Sequence, residues 1–142
     1  MNEILIRASF KILYPLLSAI SLVFFLRGHN LPGGGFIGGL ILSLALILRF
    51  LSHSESRIEK YIVNYFPAIL SLSLIGLFIV AVLPLFMGKN VLTGLWTTIP
   101  LPIAGKLSSI LFFDLFIYII VAISTTRAYI EFTKFSGKGR FS

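Results

Sequence analysis

The chain has 142 residues, of which 57% are hydrophobic and only 12% are charged. A soluble domain usually carries about 25% charged residues, so this composition excludes an ordinary soluble domain and indicates an integral membrane protein. The chain contains no cysteine, which excludes disulfides and cysteine-based metal sites. In a soluble chain, the net charge of +7 would be typical of a nucleic-acid-binding protein. Because the basic residues cluster at the ends of apolar runs, we instead expect a protein of the lipid bilayer that binds no nucleic acid.

Four apolar runs approach the length of about 20 residues that a helix needs to cross the hydrocarbon of a membrane. The sequence predicts transmembrane helices at about 7–26, 35–51, 66–87 and 106–129. These helices belong to a single transmembrane domain that covers residues 1–142, with no separate soluble domain. The predicted fold is therefore an all-α integral membrane protein, a bundle of four transmembrane helices.

The stretch from His29 to Gly39 is polar and rich in glycine, and it separates the first two apolar runs. Pro32 resists a helical conformation, and the glycines after it can adopt backbone angles that other residues cannot. Glycines four residues apart lie on one face of a helix, where they allow two membrane helices to approach closely. We therefore expect a tight turn followed by a helix with a close-packing face. The residues assigned to the turn and the face are Pro32, Gly33, Gly34, Gly35, Gly38 and Gly39.

Two further interpretations of this stretch concern its chemistry. Gly33, Gly35 and Gly38 have the spacing of the dinucleotide-binding fingerprint, but that fingerprint needs a preceding strand within a βαβ unit. Here a long apolar helix is predicted before these glycines, no βαβ unit follows, and no Gly-Lys-Ser/Thr is present. His29 is expected at the external mouth of the second helix, where it is a candidate for relaying protons, because histidine titrates near neutral pH. An ordinary hydrogen-bonding role in the turn is at least as good an interpretation of this histidine.

The connections between the later helices are predicted to lie at the membrane surface. Residues 52–60 are expected to form a short, charged loop. Pro84 should kink or end the third helix. The loop over residues 88–105 contains Trp96, a residue typical of the membrane interface, and should hold at most a short helical turn. The basic segment after Tyr129 is expected to be a frayed tail.

Asp114 is the only acidic residue within an apolar run. A charged group in hydrocarbon costs several kcal/mol, so such a residue faces a partner or a wet cavity. Its two candidate roles are a position on a proton or cation path, which we favour, and a polar contact that holds subunits together. Lys106 is a further ion-path candidate, but in the predicted helix it lies two turns earlier, roughly 12 Å away along the axis, which is too far for a direct ion pair.

The distribution of basic residues predicts the orientation in the membrane. With four spans, both termini and the loop after the second span share one side. That side carries Arg7, Lys11, Arg49, Arg57, Lys60, Arg127, Lys134, Lys138 and Arg140, whereas the other side carries Arg27, Lys89 and Lys106. Because basic residues accumulate in cytoplasmic segments, we expect both termini in the cytoplasm.

The sequence offers no recognisable set of active-site residues. It has no nucleophile paired with a base, no pair of neighbouring carboxylates and no cluster of metal ligands. We therefore expect a chain that is not an enzyme and that holds neither a cofactor nor a metal. Four helices with short loops do not easily enclose a transport path of their own, so a subunit of a larger assembly is the natural interpretation.

The run from Gly28 to Leu40 resembles the signature of the MnhB-like subunits of the Mrp-type (Mnh-type) multisubunit cation/proton antiporters. Leu92-Thr93-Gly94 with Trp96 is similar to that family's loop before the last helix, and Phe113-Asp114-Leu115 with Tyr118 is similar to its final-helix motif. The order and spacing agree over most of the chain. One departure is Phe116-Ile117, where the family often has Gly-Val, because Phe116 would fill space in which glycine allows close helix approach.

The resemblance implies a small, multi-pass subunit of the cell membrane in an antiporter that exchanges monovalent cations, usually Na⁺, for protons. It implies a hetero-oligomer with other antiporter subunits, including large ones similar to the antiporter-like subunits of respiratory complex I. Two roles are compatible with the resemblance. In the first, the chain contributes residues to the ion path; in the second, it is a scaffold that only holds larger subunits in position. The alternative parent assembly is a related membrane-bound hydrogenase-type or complex I-like complex.

Overall fold

The structure is a computed structural model that describes the backbone of residues 2–28, 33–52, 57–101 and 105–138. It contains four long helices, α1 (Asn2–Arg27), α2 (Gly35–Ser52), α3 (Arg57–Val82) and α4 (Ser109–Lys138). Two short strands, β1 (Trp96–Leu101) and β2 (Gly105–Ser108), lie between α3 and α4. The fold is therefore built on four helices, as the sequence predicted, with a small β-hairpin that was not expected.

The helices pack side by side in the spatial order α1, α2, α4, α3. Helices α1 and α2 run antiparallel, α2 and α4 run parallel, and α3 and α4 run antiparallel. Over the described residues α1 and α3 do not pack against each other, so the helices form an open row rather than a closed bundle. The contacts that fix the directions are Phe24–Gly33, Tyr14–Arg49, Gly35–Asp114, Phe50–Tyr129, Gly76–Phe116 and Phe66–Arg127.

Helix α3 begins earlier than the hydropathy of the sequence indicates. The charged residues 57–60, which were expected in a loop, form its first turn. The helix ends at Val82, and a 3₁₀ turn, Leu83–Met87, follows it. Pro84 lies in this turn, which confirms that it ends the third helix, since proline cannot donate a helical hydrogen bond. Gly88 then adopts a left-handed conformation with a φ of 69° and closes the turn.

The loop between α3 and α4 differs from the prediction. Strands β1 and β2 pair antiparallel, with Pro100 opposite Lys106. The prediction that Lys106 lies in the last helix is therefore wrong. Helix α4 begins only at Ser109, because the Ser108 Oγ atom accepts a hydrogen bond from the Leu111 N–H at 3.3 Å and so caps the helix.

Helix α4 also continues further than expected. The segment after Tyr129 was predicted to be a frayed tail, but it is helical up to Lys138. In this segment Arg127 and Glu131 form an ion pair of 2.9 Å one helical turn apart. Such a pair stabilises a helix by only a few tenths of a kcal/mol. The segment also contains three weak helix formers, Thr133, Ser136 and Gly137. Neither this pair nor helix propensity alone therefore accounts for the extension.

In the part of the chain that the structure describes, most apolar side chains are at least partly exposed, and few are buried. Among the described residues, the segments Ile62–Met87 and Ser109–Ser136 are long and apolar enough to cross a membrane, and Gly35–Leu51 is a shorter apolar helix. Only 11% of the most apolar part of each long segment is buried within the chain. The core helix of a soluble protein would be mostly buried, so these surfaces are suited to lipid or to apolar neighbours.

Candidate functional site

Helix α2 begins against the end of helix α1. The Gly34 N–H donates to the Phe24 carbonyl oxygen at 3.0 Å, and the Gly34 carbonyl accepts a hydrogen bond from the Gly38 N–H, also at 3.0 Å. Gly34 has a φ of 92°, which residues with a side chain rarely adopt. A Cβ atom on Gly33 would lie 2.7 Å from the Phe24 oxygen. Glycine at these two positions therefore allows the chain to turn closely against α1.

The glycines of α2 form a face against α4. A Cβ atom on Gly35 would collide with the backbone oxygen of Asp114 and would lie 3.1 Å from the Tyr118 nitrogen. One turn later, a Cβ atom on Gly39 would lie 2.8 Å from the Tyr118 oxygen. The two glycines are four residues apart, and so are Asp114 and Tyr118, so successive turns of the two helices meet. The missing side chains let the two backbones pack directly against each other.

Asp114 lies in the second turn of helix α4, beside the start of helix α2. Its Oδ2 atom would be 3.0 Å from a Cβ atom on Gly34. The N-terminus of a helix carries unpaired N–H groups and a partial positive charge, and both stabilise a carboxylate. The side chain is half-buried, and within the described part of the chain no basic side chain forms an ion pair with it. The site thus places one acidic group beside oriented backbone dipoles.

Tyr118 reaches across helix α2 to helix α1. Its ring crosses Gly38, where a Cβ atom would lie 3.1 Å from the ring atoms Cδ2 and Cε2. Its hydroxyl oxygen lies 2.7 Å from Ser21 Oγ, and Ser21 Oγ donates to the Gly38 carbonyl oxygen at 2.8 Å. The ring of Phe25 packs on the same tyrosine with the centroids 5.0 Å apart. Helices α1, α2 and α4 therefore meet at one pair of hydroxyl groups, of which Ser21 is 0% exposed.

Phe116 is directed towards helix α3. A Cβ atom on Gly76 would overlap the tip of the Phe116 ring, with Cε1 only 2.5 Å and Cε2 2.8 Å away. Gly76 therefore supplies the space that the large side chain at position 116 needs. The large side chain of Phe116 is thus placed between α3 and α4, away from the contact of Asp114 with α2.

The family model described as "Domain related to MnhB subunit of Na+/H+ antiporter" matches residues 5–127. The chain belongs to this family. Two proposed antiporter subunits named mnhB2, from Staphylococcus aureus strains Newman and JH1, are each 36% identical to it over 116 residues, which is 80% of this chain and 82% of theirs. The Mrp complex from Dietzia sp. DQ12-45-1b is a similar solved structure, with a TM-score of 0.75 and 28% sequence identity. That match covers 89% of this chain and 14% of the matched chain.

The site residues predicted from the sequence of this MnhB-family chain fall into three groups. At the contact of α2 with α4, the structure brings Gly34 and Gly35 together with Asp114. At the same contact it brings Gly38 and Gly39 together with Tyr118, and it places Gly33 against α1. Lys106 lies in β2, and its side chain, like all of His29 and Pro32, lies outside the described residues. Within the described part of the chain, no group of three histidine or acidic residues that could hold a metal ion is found.

Three residues that shape the site were missed by the sequence analysis. Gly76 is an isolated glycine in an apolar run, and such a glycine usually has a packing reason, so this signal was available. Ser108 stands before the last apolar run, where serine is a common helix cap, and it would have placed the start of α4 correctly. Ser21 offers no comparable signal, because only the tertiary structure brings it to Tyr118.

Proposed function

We propose that this member of the MnhB-related family is a small membrane subunit of a multisubunit Na⁺/H⁺ antiporter in the cell membrane. The observation that carries the proposal is the family match over residues 5–127. The exposed apolar helices support a location in the lipid bilayer. Its partners are the other antiporter subunits, including large complex I-like ones, and the transported ions are a monovalent cation, Na⁺, and protons.

We propose that the chain crosses the membrane four times, with both termini in the cytoplasm. Its helices alternate in direction, so that both termini and the connection between α2 and α3 belong to the same end of the row. At this end Arg49 lies 4.8 Å from the centroid of the Tyr14 ring, and Arg127 lies 5.9 Å from that of Phe66. Aromatic rings with basic side chains are typical of the membrane interface, and the basic side chains favour the cytoplasmic side.

Asp114 is the residue through which the chain is proposed to handle ions. At the opposite end of the row, its carboxylate lies beside the N-terminus of α2, which stabilises negative charge without neutralising it as an ion pair would. The backbone contacts at Gly35 and Gly39 keep α4 close enough for this arrangement. His29 and Lys106 remain secondary candidates for the ion path. The turn and the glycine face, from Pro32 to Gly39, are proposed to serve close helix packing.

The proposal is tested on the tagged chain in its native membrane. Purification in mild detergent should recover other antiporter subunits with it, and everted vesicles should exchange Na⁺ for protons. Asp114→Asn keeps the size and hydrogen bonding of the side chain and removes the charge. We expect this variant to abolish or shift the exchange while the complex still assembles at least in part.

Glu131→Gln is the matched control, because it makes the same chemical change on the same helix. The Glu131 side chain is 52% exposed and pairs with Arg127 one turn away, a contact worth only a few tenths of a kcal/mol. Exchange should therefore stay close to that of the parent. If Asp114→Asn loses activity only in proportion to lost assembly, Asp114 is a structural contact. If cysteine-rich redox subunits co-purify instead, the parent assembly is a hydrogenase-type complex.

A further inference from the structure

The hydroxyl of Tyr118 joins two helices that are not neighbours in the row. It lies on α4, and its hydrogen-bond partner Ser21 lies on α1, with α2 between them. We propose that Tyr118 is a positioning residue that holds Asp114 beside the N-terminus of helix α2 through this bond. The inference rests on the proposed ion-handling role of Asp114.

The direction of the hydrogen bonds follows from the number of hydrogens. A serine hydroxyl carries one hydrogen, and that of Ser21 is donated to the Gly38 carbonyl oxygen at 2.8 Å. The 2.7 Å contact between the two hydroxyls must then be a donation from Tyr118 to Ser21. The chain of bonds ends on a backbone carbonyl, which has no proton to pass on. This arrangement therefore fixes positions and does not relay protons.

The position of Tyr118 determines that of Asp114 because the two residues are one turn apart on the same helix face. Asp114 meets Gly34 and Gly35, and Tyr118 meets Gly38 and Gly39, one turn further along α2. The glycines carry no side chain that could interlock with α4. Contact between the two backbones stops α4 from coming closer to α2, but it does not stop α4 from sliding along α2 or moving away from it. The bond to Ser21 is part-buried, and it adds a directional attraction that holds α4 in place. The Ser21 side chain is fully buried, which limits the access of water to its end of the bond.

The bond can be removed from either side with little change in volume. Tyr118→Phe removes the donor, and Ser21→Ala removes the acceptor. Ser18→Ala is the matched control, because it is the same substitution one turn earlier on α1, where the hydroxyl donates only to the Tyr14 carbonyl of its own helix at 2.8 Å. All variants are studied in the intact complex in native membrane vesicles, with the amount of assembled complex measured in each.

We expect Tyr118→Phe to raise the half-saturating Na⁺ concentration about fivefold, which corresponds to about 1 kcal/mol, the usual net value of one hydrogen bond. Ser21→Ala should raise it at least as much, because it removes the acceptor for Tyr118 and also the donor to the Gly38 carbonyl oxygen. The amount of complex and the maximal rate should stay within about twofold of the parent, well under the tenfold that 1.4 kcal/mol would produce. Ser18→Ala should match the parent, and the double variant should be no worse than Ser21→Ala alone, since both changes remove the same bond.

Three results would overturn the inference. A parent-like half-saturating Na⁺ concentration in Tyr118→Phe, with Asp114→Asn impaired, would mean that Tyr118 does not position Asp114. Loss of the assembled complex in step with activity would mean that the bond serves only folding. If Asp114→Asn itself exchanges ions like the parent, the proposed role of Asp114 fails, and the inference fails with it.

Discussion

Gly76 and Phe116 form a contact between α3 and α4 whose energy can be predicted. In Gly76→Ala the added methyl group meets the tip of the Phe116 ring, with Cε1 only 2.5 Å and Cε2 2.8 Å from the position of the new Cβ atom. Ordinary contact between carbon atoms is about 3.5–4.0 Å, so the ring must retreat by roughly 1 Å or the helices must separate. Overpacking of this kind costs about 1–3 kcal/mol.

An opposing effect must be separated from this cost. Replacement of glycine by alanine in a helix is intrinsically favourable by about 1 kcal/mol. Gly76→Ala alone is therefore expected to destabilise the α3–α4 contact by only about 0–2 kcal/mol, the overpacking cost less the gain in helix propensity. In a Phe116→Ala background the ring is absent, so only the favourable effect remains. The two substitutions should thus be coupled by about 1–3 kcal/mol, which exceeds the deviation from additivity of about 0.5 kcal/mol seen for independent sites.

The assay is a double-mutant cycle on the tagged complex in detergent. The temperature at which half of the chain has dissociated from its partners is measured for the parent, both single variants and the double variant. Phe112→Ala replaces Phe116→Ala in the control cycle, because Phe112 is an exposed phenylalanine on the same helix and should be additive with Gly76→Ala. If Gly76→Ala is equally harmful with and without Phe116, the methyl group meets something other than this ring, and the reasoning is wrong.

Two further predictions concern the topology and the histidine of the glycine-rich turn. Accessible tags at both termini and near Ser54 should be cytoplasmic, and a tag near Asn90 should be external, because the basic residues are concentrated on the first side; an external Ser54 would contradict four spans. His29→Gln keeps a hydrogen-bonding group but cannot titrate near neutral pH, so a proton relay through His29 predicts a changed pH profile of antiport, measured in everted vesicles. An unchanged profile would leave His29 as an ordinary turn residue.

Hydropathy predicted where the helices lie better than where they end. Hydropathy identifies the apolar part of a helix, and it does not detect a charged turn at the end of that helix. Residues 57–60 were therefore assigned to a loop, although arginine, glutamate and lysine are good helix formers. The segment from Glu131 to Lys138 was assigned to a tail because of its basic residues, although it is helical. The start of α2 at Gly35 was better defined, because Pro32 and the glycines after it mark a turn by their backbone chemistry.

The β-hairpin was missed for a different reason. Its first strand contains Pro100, and proline argues against a strand unless the strand lies at an edge. In a two-stranded sheet both strands are edges, so this objection loses its force. The β-branched residues 97–99 were the available signal, but they lie in a loop whose tryptophan and prolines favoured an irregular segment at the membrane surface.

The site could be predicted only in part, because a helix face is a local property and a helix partner is not. The spacing of Gly35 and Gly39 defined a face built for close approach. No sequence pattern stated that this face meets α4, that α2 and α4 run parallel, or that Asp114 lies beside the start of α2. These features depend on the row order of the helices, in which α2 packs on α4 and leaves α3 at the edge.

The open row also bears on how a single acidic residue can serve ion transport. A row of helices has two broad faces and no enclosed interior. Asp114 lies on α4 where that helix meets α2, and its side chain is only half-buried by the chain. A charged group at membrane depth needs a wet cavity or polar partners on every side. The start of α2 lies on one side of the carboxylate, and the side chain is otherwise part-exposed. A path through Asp114 would therefore need a second subunit to close it, which is the arrangement that a multisubunit antiporter provides.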